Sequence, residues 1–395
     1  MITRIIRDEI KKEGNVPCEG AIPFVRFMTL ALYHPEYGYY TSSREKIGLA
    51  ADFDTSPSIH PIFATLLAKQ IIQMAQSLDC EVISLIEFGA GDGTLCRGIL
   101  DFIQESAPAL FCKIVYIIIE TSPSFRSRQR DRLLPAYAQV VQWKDEMPER
   151  VIGIVLSNEF VDALPAHRLR VENSTLKEVY VTLKNNLFSE VLGAPSDPAL
   201  LAYFNRLCLP NGSFDLEINL LALDWMQKIS LGLQKGFVIT IDYGYPEKQL
   251  YSPLRKRGTF LCYYKHTVNE NPYQHIGEQD MTTHIDFTAL ARVGKEGGLS
   301  VIGFTDQTGF LMGLRIDQEM QRYADQMEES DEARRHFLAM KELIAPDKMG
   351  RPFKVLIQGA EIPEDIKLAG LTFKAFPKNV LGERLAGDVP PLRMA

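Results

Sequence analysis

Six cysteines, seven histidines and two tryptophans in 395 residues leave little material for a disulfide framework or a metal centre. No two of Cys18, Cys80, Cys96, Cys112, Cys208 and Cys262 form a CxxC pair, and none stands at zinc-ligand spacing with a histidine, so neither a structural disulfide nor a metal is expected. Several lie in apolar segments, where a free thiol behaves as a small hydrophobe, and a reducing compartment is implied. No apolar run approaches the roughly 18 residues that suggest a membrane span. The opening segment places Ile2, Ile5, Ile6 and Ile10 on one face of a charged helix, without the unbroken apolar stretch of a signal peptide. Asp8, Glu9 and Glu13 interrupt any transit-like pattern, so the expected location is cytoplasmic with no membrane insertion. Basic residues are also in deficit, 43 against 50 acidic, for a net charge of −7. That field repels nucleic acid, and no nucleic-acid partner is expected.

What remains is an ordinary globular composition, 46% hydrophobic and 24% charged. The chain is long enough for two domains or one elaborated domain. Residues 1–80 read as helices and loops punctuated by prolines, and Pro61 opens a helix with Ile62, Leu66, Leu67 and Ile71 at helical spacing. From residue 81 short apolar runs alternate with helices: 82–88, 114–119, 140–143 and 151–156. Runs of this kind are buried parallel strands. Residues 166–235 break the rhythm and read as an insertion. The sheet resumes over 236–241 and closes with runs at 299–304 and 353–357, which bracket a helical stretch from 309 to 343. The predicted fold is α/β, a Rossmann-like, seven-stranded, mostly parallel sheet with helices on both faces. It comprises a core of 81–165 and 236–360, an N-terminal helical region, a long loop at 243–283 of functional size, and a peripheral tail over 361–395.

Residues 86–94, reading IEFGAGDGT, join a strand to a helix. Glycines let the backbone approach a ligand, and the helix N-terminus offers unpaired N–H groups. A dinucleotide fingerprint would continue G-x-G-x-x-G, but Thr94 occupies the third position, and Glu87 and Asp92 would repel a pyrophosphate. Acids around Gly89 and Gly91 suit a ligand with a cationic part, such as S-adenosylmethionine. The plain alternative is a tight turn without a ligand. Glu120, at the end of the second strand, is placed to accept hydrogen bonds from both hydroxyls of a ribose, or else to cap the next helix beside Thr121 and Ser122. A ribose is equally compatible with NAD. At the end of the fourth strand Asn158, Glu159 and Asp162 stand at the sheet's working edge, although a polar turn before Pro165 would have the same composition. The long loop carries His266, His275, His284, Asp280 and Asp286. Their spacing does not suit a metal, and the loop reads as a substrate lid with His284 as a candidate base, or simply as a helix cap.

Residues 27–40, reading FMTLALYHPEYGYY, resemble the opening signature of the MidA-like methyltransferases, a family that includes a mitochondrial complex I assembly factor and bacterial relatives. Residues 52–57, 156–165, 241–244, 277–287, 309–315 and 354–359 resemble further blocks of the same family, which together cover nearly the whole chain. The resemblance implies a class I S-adenosylmethionine-dependent methyltransferase fold and methylation of a protein arginine. By position it implies that Gly89 and Gly91 border the methionine part, Glu120 the ribose, and Asn158 and Glu159 the reacting end. The absent transit-like segment departs from the mitochondrial member, so a mitochondrial subunit is not the obvious target.

The chemistry of that reaction is consistent with these residues. Methyl transfer from a sulfonium is an in-line displacement, served by alignment and a dry pocket. An arginine acceptor is protonated in water, so carboxylates must hold it while it loses a proton. Glu159 and Asp162 are the expected carboxylates, helped by Asp280 or Asp286. Competing functions are a non-catalytic assembly protein that keeps a cofactor pocket, a small-molecule methyltransferase, and an NAD-dependent oxidoreductase.

Overall fold

The computed structural model describes residues 1–12, 18–42, 56–172, 175–207, 209, 212–325, 330–363, 365–373 and 376–382. Cys208, residues 52–55 of the second family block and the tail beyond 382 lie outside the described residues.

Seven strands form the central sheet: β1 (Ile83–Phe88), β2 (Ile114–Ile119), β3 (Val141–Lys144), β4 (Val151–Asn158), β5 (Leu233–Tyr245), β6 (Ser300–Asp306) and β7 (Phe353–Ala360). Their spatial order is β6-β7-β5-β4-β1-β2-β3, and a two-residue strand at Ile285–Asp286 pairs alongside β5. Every pairing from β5 to β3 is parallel, whereas β7 runs antiparallel to both β5 and β6. The apolar runs make this arrangement necessary. Ile117, Ile118 and Ile119 on β2 are all at most 8% exposed, because helices cover both faces and neither can be polar. One face packs against helices Ile62–Leu78 and Thr94–Ser106, and the other against Leu220–Gly232 and Phe287–Glu296. Each fully buried Ile, Leu or Phe contributes about 1.5–3 kcal/mol.

The parallel strands place the ends of β1, β2, β4 and β5 on one edge, the standard position of a ligand crevice. Residues 243–283 are not a bare loop. They hold the end of β5, a helix at Glu247–Leu250 and a three-stranded antiparallel sheet of Leu261–Tyr264, Thr267–Asn269 and Asp280–Thr282. Residues 166–235 supply antiparallel strands His167–Glu172, Thr175–Lys184, Leu187–Gly193 and Phe214–Ile218, to which Ala21–Pro23 adds its own pairing. Phe24, Phe27 and Met28 from the N-terminal segment share one core with Val179 and Val181 of the insertion and with Phe260, Cys262 and Met281 of the loop. Three segments far apart in sequence thus pack as one body beside the strand ends. Among the described residues, no helix is long and apolar enough to cross a membrane.

Candidate active site

The glycine loop leaves β1 in a left-handed path, with Gly89, Gly91 and Gly93 at φ of 69°, 54° and 86°. Only glycine takes such angles without strain. A Cβ on Gly89 would stand 2.8 Å from the Phe160 ring. Gly89→Ala is therefore expected to weaken S-adenosylhomocysteine binding by about tenfold or more and to cost about 1 kcal/mol of stability. Calorimetric titration checks the first effect, and an unchanged affinity would show that the cradle tolerates a methyl group.

Asp92 lines the cavity with its charge already compensated. Its Oδ1 accepts from the Thr94 N–H at 3.0 Å and hydroxyl at 2.7 Å, and Oδ2 pairs with Arg132 at 2.6 Å. Glu87 is 1% exposed and accepts a 2.7 Å bond from the Tyr116 hydroxyl. Burial pushes its carboxyl up from the usual 4.5 to about 7, with the Tyr116 bond pulling the other way. An acid raised by folding weakens the fold as soon as the unfolded chain can ionise. Stability is therefore lost as pH climbs from about 4.5 to about 7, at up to ~1.4 kcal/mol per pH unit. Glu87→Gln removes this slope, so between pH 5 and 8 its stability relative to the parent should rise by about 2–3 kcal/mol. Urea unfolding at the two pH values measures it, and a pH-independent difference would refute the assignment.

Glu120, just beyond β2, is half-buried, and its Oε1 accepts from the Ser122 N–H at 2.7 Å. Ser122 in turn caps helix Pro123–Tyr137 by accepting from Phe125 N. Glu87, Gly89, Gly91, Asp92, Glu120, Asn158 and Glu159 all line one cavity of about 670 Å³, the size range of a nucleotide-type ligand. A glycine cradle that a Cβ at Gly89 would crowd, and a carboxylate at the strand end, suit the close approach of a ligand carrying a ribose.

The β4 end turns sharply. Glu159 is held at φ 52°, a left-handed angle that costs a side-chain-bearing residue about 1 kcal/mol or more. Its N–H donates to Ile241 O at 3.0 Å, and its Oε1 accepts from Asn158 Nδ2 at 3.0 Å and Ser56 N at 2.9 Å. Asp242 anchors the turn. It is fully buried, and its Oδ2 accepts from the N–H groups of Phe160, Val161 and Asp162 at 3.2, 2.9 and 3.3 Å, while Oδ1 accepts from Tyr243 N at 2.8 Å. Burial nevertheless pushes Asp242 up to about 7.

Asp162 and Asp280, 5% and 3% exposed, lie beside Glu159 and Asp242 rather than on the cavity wall itself. Burial first, then Asp242, Asp280 and Glu159, hold the Asp162 carboxyl well above the carboxylate range, and its Oδ1 makes no hydrogen bond. Asp280 accepts from the Tyr40 hydroxyl at 2.7 Å and from Met281 N at 2.8 Å. Tyr40 stacks on Tyr33, whose hydroxyl donates to Ala163 O, and both rings line the cavity. Tyr33, Tyr40, Tyr243 and Tyr263 all sense Asp162 electrostatically and surround this carboxylate group.

Two residues expected here are elsewhere. His284 stacks on Tyr243, packs tilted against Tyr245 and lines a separate small cavity with Tyr203 and Asp286. Burial, Arg255 and Lys354 pull its pKa down to about 4, so it is neutral and away from the main cavity. Asp286 caps helix Phe287–Glu296 through Ala289 N and accepts from the Tyr203 hydroxyl at 2.6 Å, which uses both its oxygens structurally. Conversely, Tyr33, Tyr40, Ser56 and Asp242 lie in blocks that carry the family resemblance but were given no role there, and nothing in the sequence pointed to Gln129.

The chain matches, over residues 66–305, a family model described as "Putative S-adenosyl-L-methionine-dependent methyltransferase". It is 25% identical over 374 residues to a Drosophila melanogaster protein named protein arginine methyltransferase NDUFAF7 homolog, mitochondrial, covering 85% of this chain and 81% of that one. The Bos taurus protein arginine methyltransferase NDUFAF7, mitochondrial, is 26% identical, with 90% and 83% covered. A Burkholderia thailandensis structure bound to S-adenosyl-homocysteine superposes with a TM-score of 0.82 at 29% identity, over 94% of each chain. The mitochondrial names of the relatives overturn the cytoplasmic location expected from the N-terminal segment, whose acidic residues are a weak guide to targeting. With the class I fold, the glycine cradle and the family match agreeing, this chain belongs to the S-adenosyl-L-methionine-dependent methyltransferases, and S-adenosyl-L-methionine is its cofactor.

Proposed function

We propose that this methyltransferase acts on an arginine side chain of a protein. The observation that carries the reading is the cluster of buried carboxyl groups beside the cofactor cavity. Glu159, Asp162, Asp242 and Asp280 converge there, Asp162 Oδ1 is buried without a hydrogen bond, and four tyrosines surround the group. A buried polar atom left unpaired costs about 1–3 kcal/mol. A flat guanidinium, with five donors and affinity for aromatic faces, would satisfy it. The names of the curated relatives support the same reading.

When bound, the cofactor supplies an electrophilic methyl group. Glu159, fixed by Ser56 and Asn158, orients the guanidinium through a charge-assisted pair. Methylation, in which the new N–CH₃ bond replaces the S–CH₃ bond, obliges the nitrogen to release a proton, and the coupled carboxyl cluster of Glu159, Asp162 and Asp280, which shares fewer protons than it has groups, is placed to take it. Tyr33 and Tyr40 exclude water. Cofactor-binding roles go to Gly89, Gly91, Glu120 and Asn158, with Glu87 and Asp92 shaping the cradle.

The test incubates the protein and a proteome extract with methyl-labelled S-adenosyl-L-methionine, then hydrolyses the protein fraction and separates methylated amino acids. Label in methylarginine is expected. Label confined to small molecules, or to methyl-lysine, would sink the reading.

A further inference from the structure

Beyond the cofactor lining, one side chain ties together three separate pieces of the pocket. Gln129 sits in the Arg-rich helix Pro123–Tyr137 and is fully buried. Its Nε2 donates to Gly91 O at 2.8 Å and directs its second hydrogen toward Glu120 Oε2 at 3.4 Å. Its Oε1 accepts from Trp143 Nε1, on β3, at 2.9 Å. The indole nitrogen can only donate, so the amide oxygen must face Trp143 and the NH₂ must face Gly91 and Glu120. The amide therefore has one orientation.

Glu120 is positioned by two donors, one on each oxygen: Ser122 N on Oε1 and Gln129 on Oε2. A carboxylate offers about four acceptor sites, so one remains on each oxygen. Two neighbouring acceptors match the two hydroxyls of a ribose diol. We propose that Gln129 is a positioning residue that sets the cofactor site's discrimination for an intact ribose by holding the Glu120 carboxylate and the Gly91 carbonyl in register. The proposal rests on Glu120 being the residue that meets the ribose.

The experiment compares S-adenosylhomocysteine with its 2′-deoxyribose analogue by calorimetric titration, for the parent protein, Gln129→Leu and Glu120→Ala. The parent should favour the ribose compound by about tenfold or more, the range of one hydrogen bond to a charged group. In Gln129→Leu the ratio should fall to about twofold. Equal weakening of both ligands, with the ratio intact, would mean that Gln129 only fills space and would overturn the proposal, as would binding like the parent's. A parent ratio near one, unchanged in Glu120→Ala, would overturn the Glu120 assignment and this inference with it. A ratio lost in Glu120→Ala but kept in Gln129→Leu would overturn this inference alone. Should Gln129→Leu not fold, Gln129→Glu keeps the volume and the acceptor for Trp143 but faces a second carboxylate toward Glu120. Its affinity for S-adenosylhomocysteine should then fall between pH 6 and 8 more steeply than the parent's, and an identical pH profile would count against the proposal.

Discussion

Glu159→Gln should lower the turnover of methyl transfer by about 10²–10³-fold while leaving S-adenosylhomocysteine affinity within about threefold. The substitution keeps an oxygen that can accept from Ser56 N and Asn158 Nδ2, so the left-handed turn at φ 52° retains its supports. What disappears is the negative charge proposed to face the acceptor. Positive charge passes to the acceptor nitrogen during transfer, and a fixed carboxylate in a water-poor site stabilises it without reorganising. The glycine loop and Glu120, proposed to hold the cofactor, follow β1 and β2, whereas Glu159 follows β4. Single-turnover rates with labelled cofactor, beside calorimetric titration, separate the two quantities. Turnover within about tenfold of the parent, or a loss fully accounted for by weaker cofactor binding, would remove Glu159 from the acceptor site.

The second large effect is on the scaffold of that same turn. Asp242→Ala should destabilise the protein by about 4 kcal/mol. Four backbone N–H groups, those of Phe160, Val161, Asp162 and Tyr243, donate to this carboxylate, and Asp242 is wholly buried. Each buried donor left unpaired costs about 1–3 kcal/mol, partly recovered by relaxation of the turn. Asp242→Asn retains one acceptor but directs its NH₂ at other donors, so about half the loss is expected. Urea unfolding of the three proteins under one condition measures the differences, and a loss below about 1 kcal/mol for the alanine variant would show that the turn is held by other contacts.

The glycine loop and the acid after the second strand were readable because their signals are local. A run of isoleucines at 114–119 becomes β2 with those bounds, and Glu120 follows it directly. The glycine loop lies between β1 and helix Thr94–Ser106, and its left-handed angles demand the residues that the sequence displays. Misplacement begins where a residue's neighbours come from other segments. His284 looked like a base because histidine titrates near neutrality, but packing against Tyr243, Tyr245, Arg255 and Lys354 makes it a buried, neutral ring. Asp286 had the chemistry of an acceptor ligand and is used as a helix cap. Gln129 stands among arginines that suggest a solvated helix, and nothing in that spacing reveals that its amide turns inward to Glu120 and Trp143.

The strand runs, the crevice edge and the glycine loop therefore follow from patterns a few residues long, since apolar runs, glycines and strand-end acids act through their immediate backbone. The carboxyl and tyrosine cluster beside the cavity follows from the tertiary structure alone. Tyr40 and Asp280 meet across 240 positions, and Ser56 and Glu159 across 103. The first of these depends on three satellite segments packing into one core beside the sheet edge. Burial among those segments, rather than residue type, is what raises Asp162 and leaves its oxygen without a hydrogen bond.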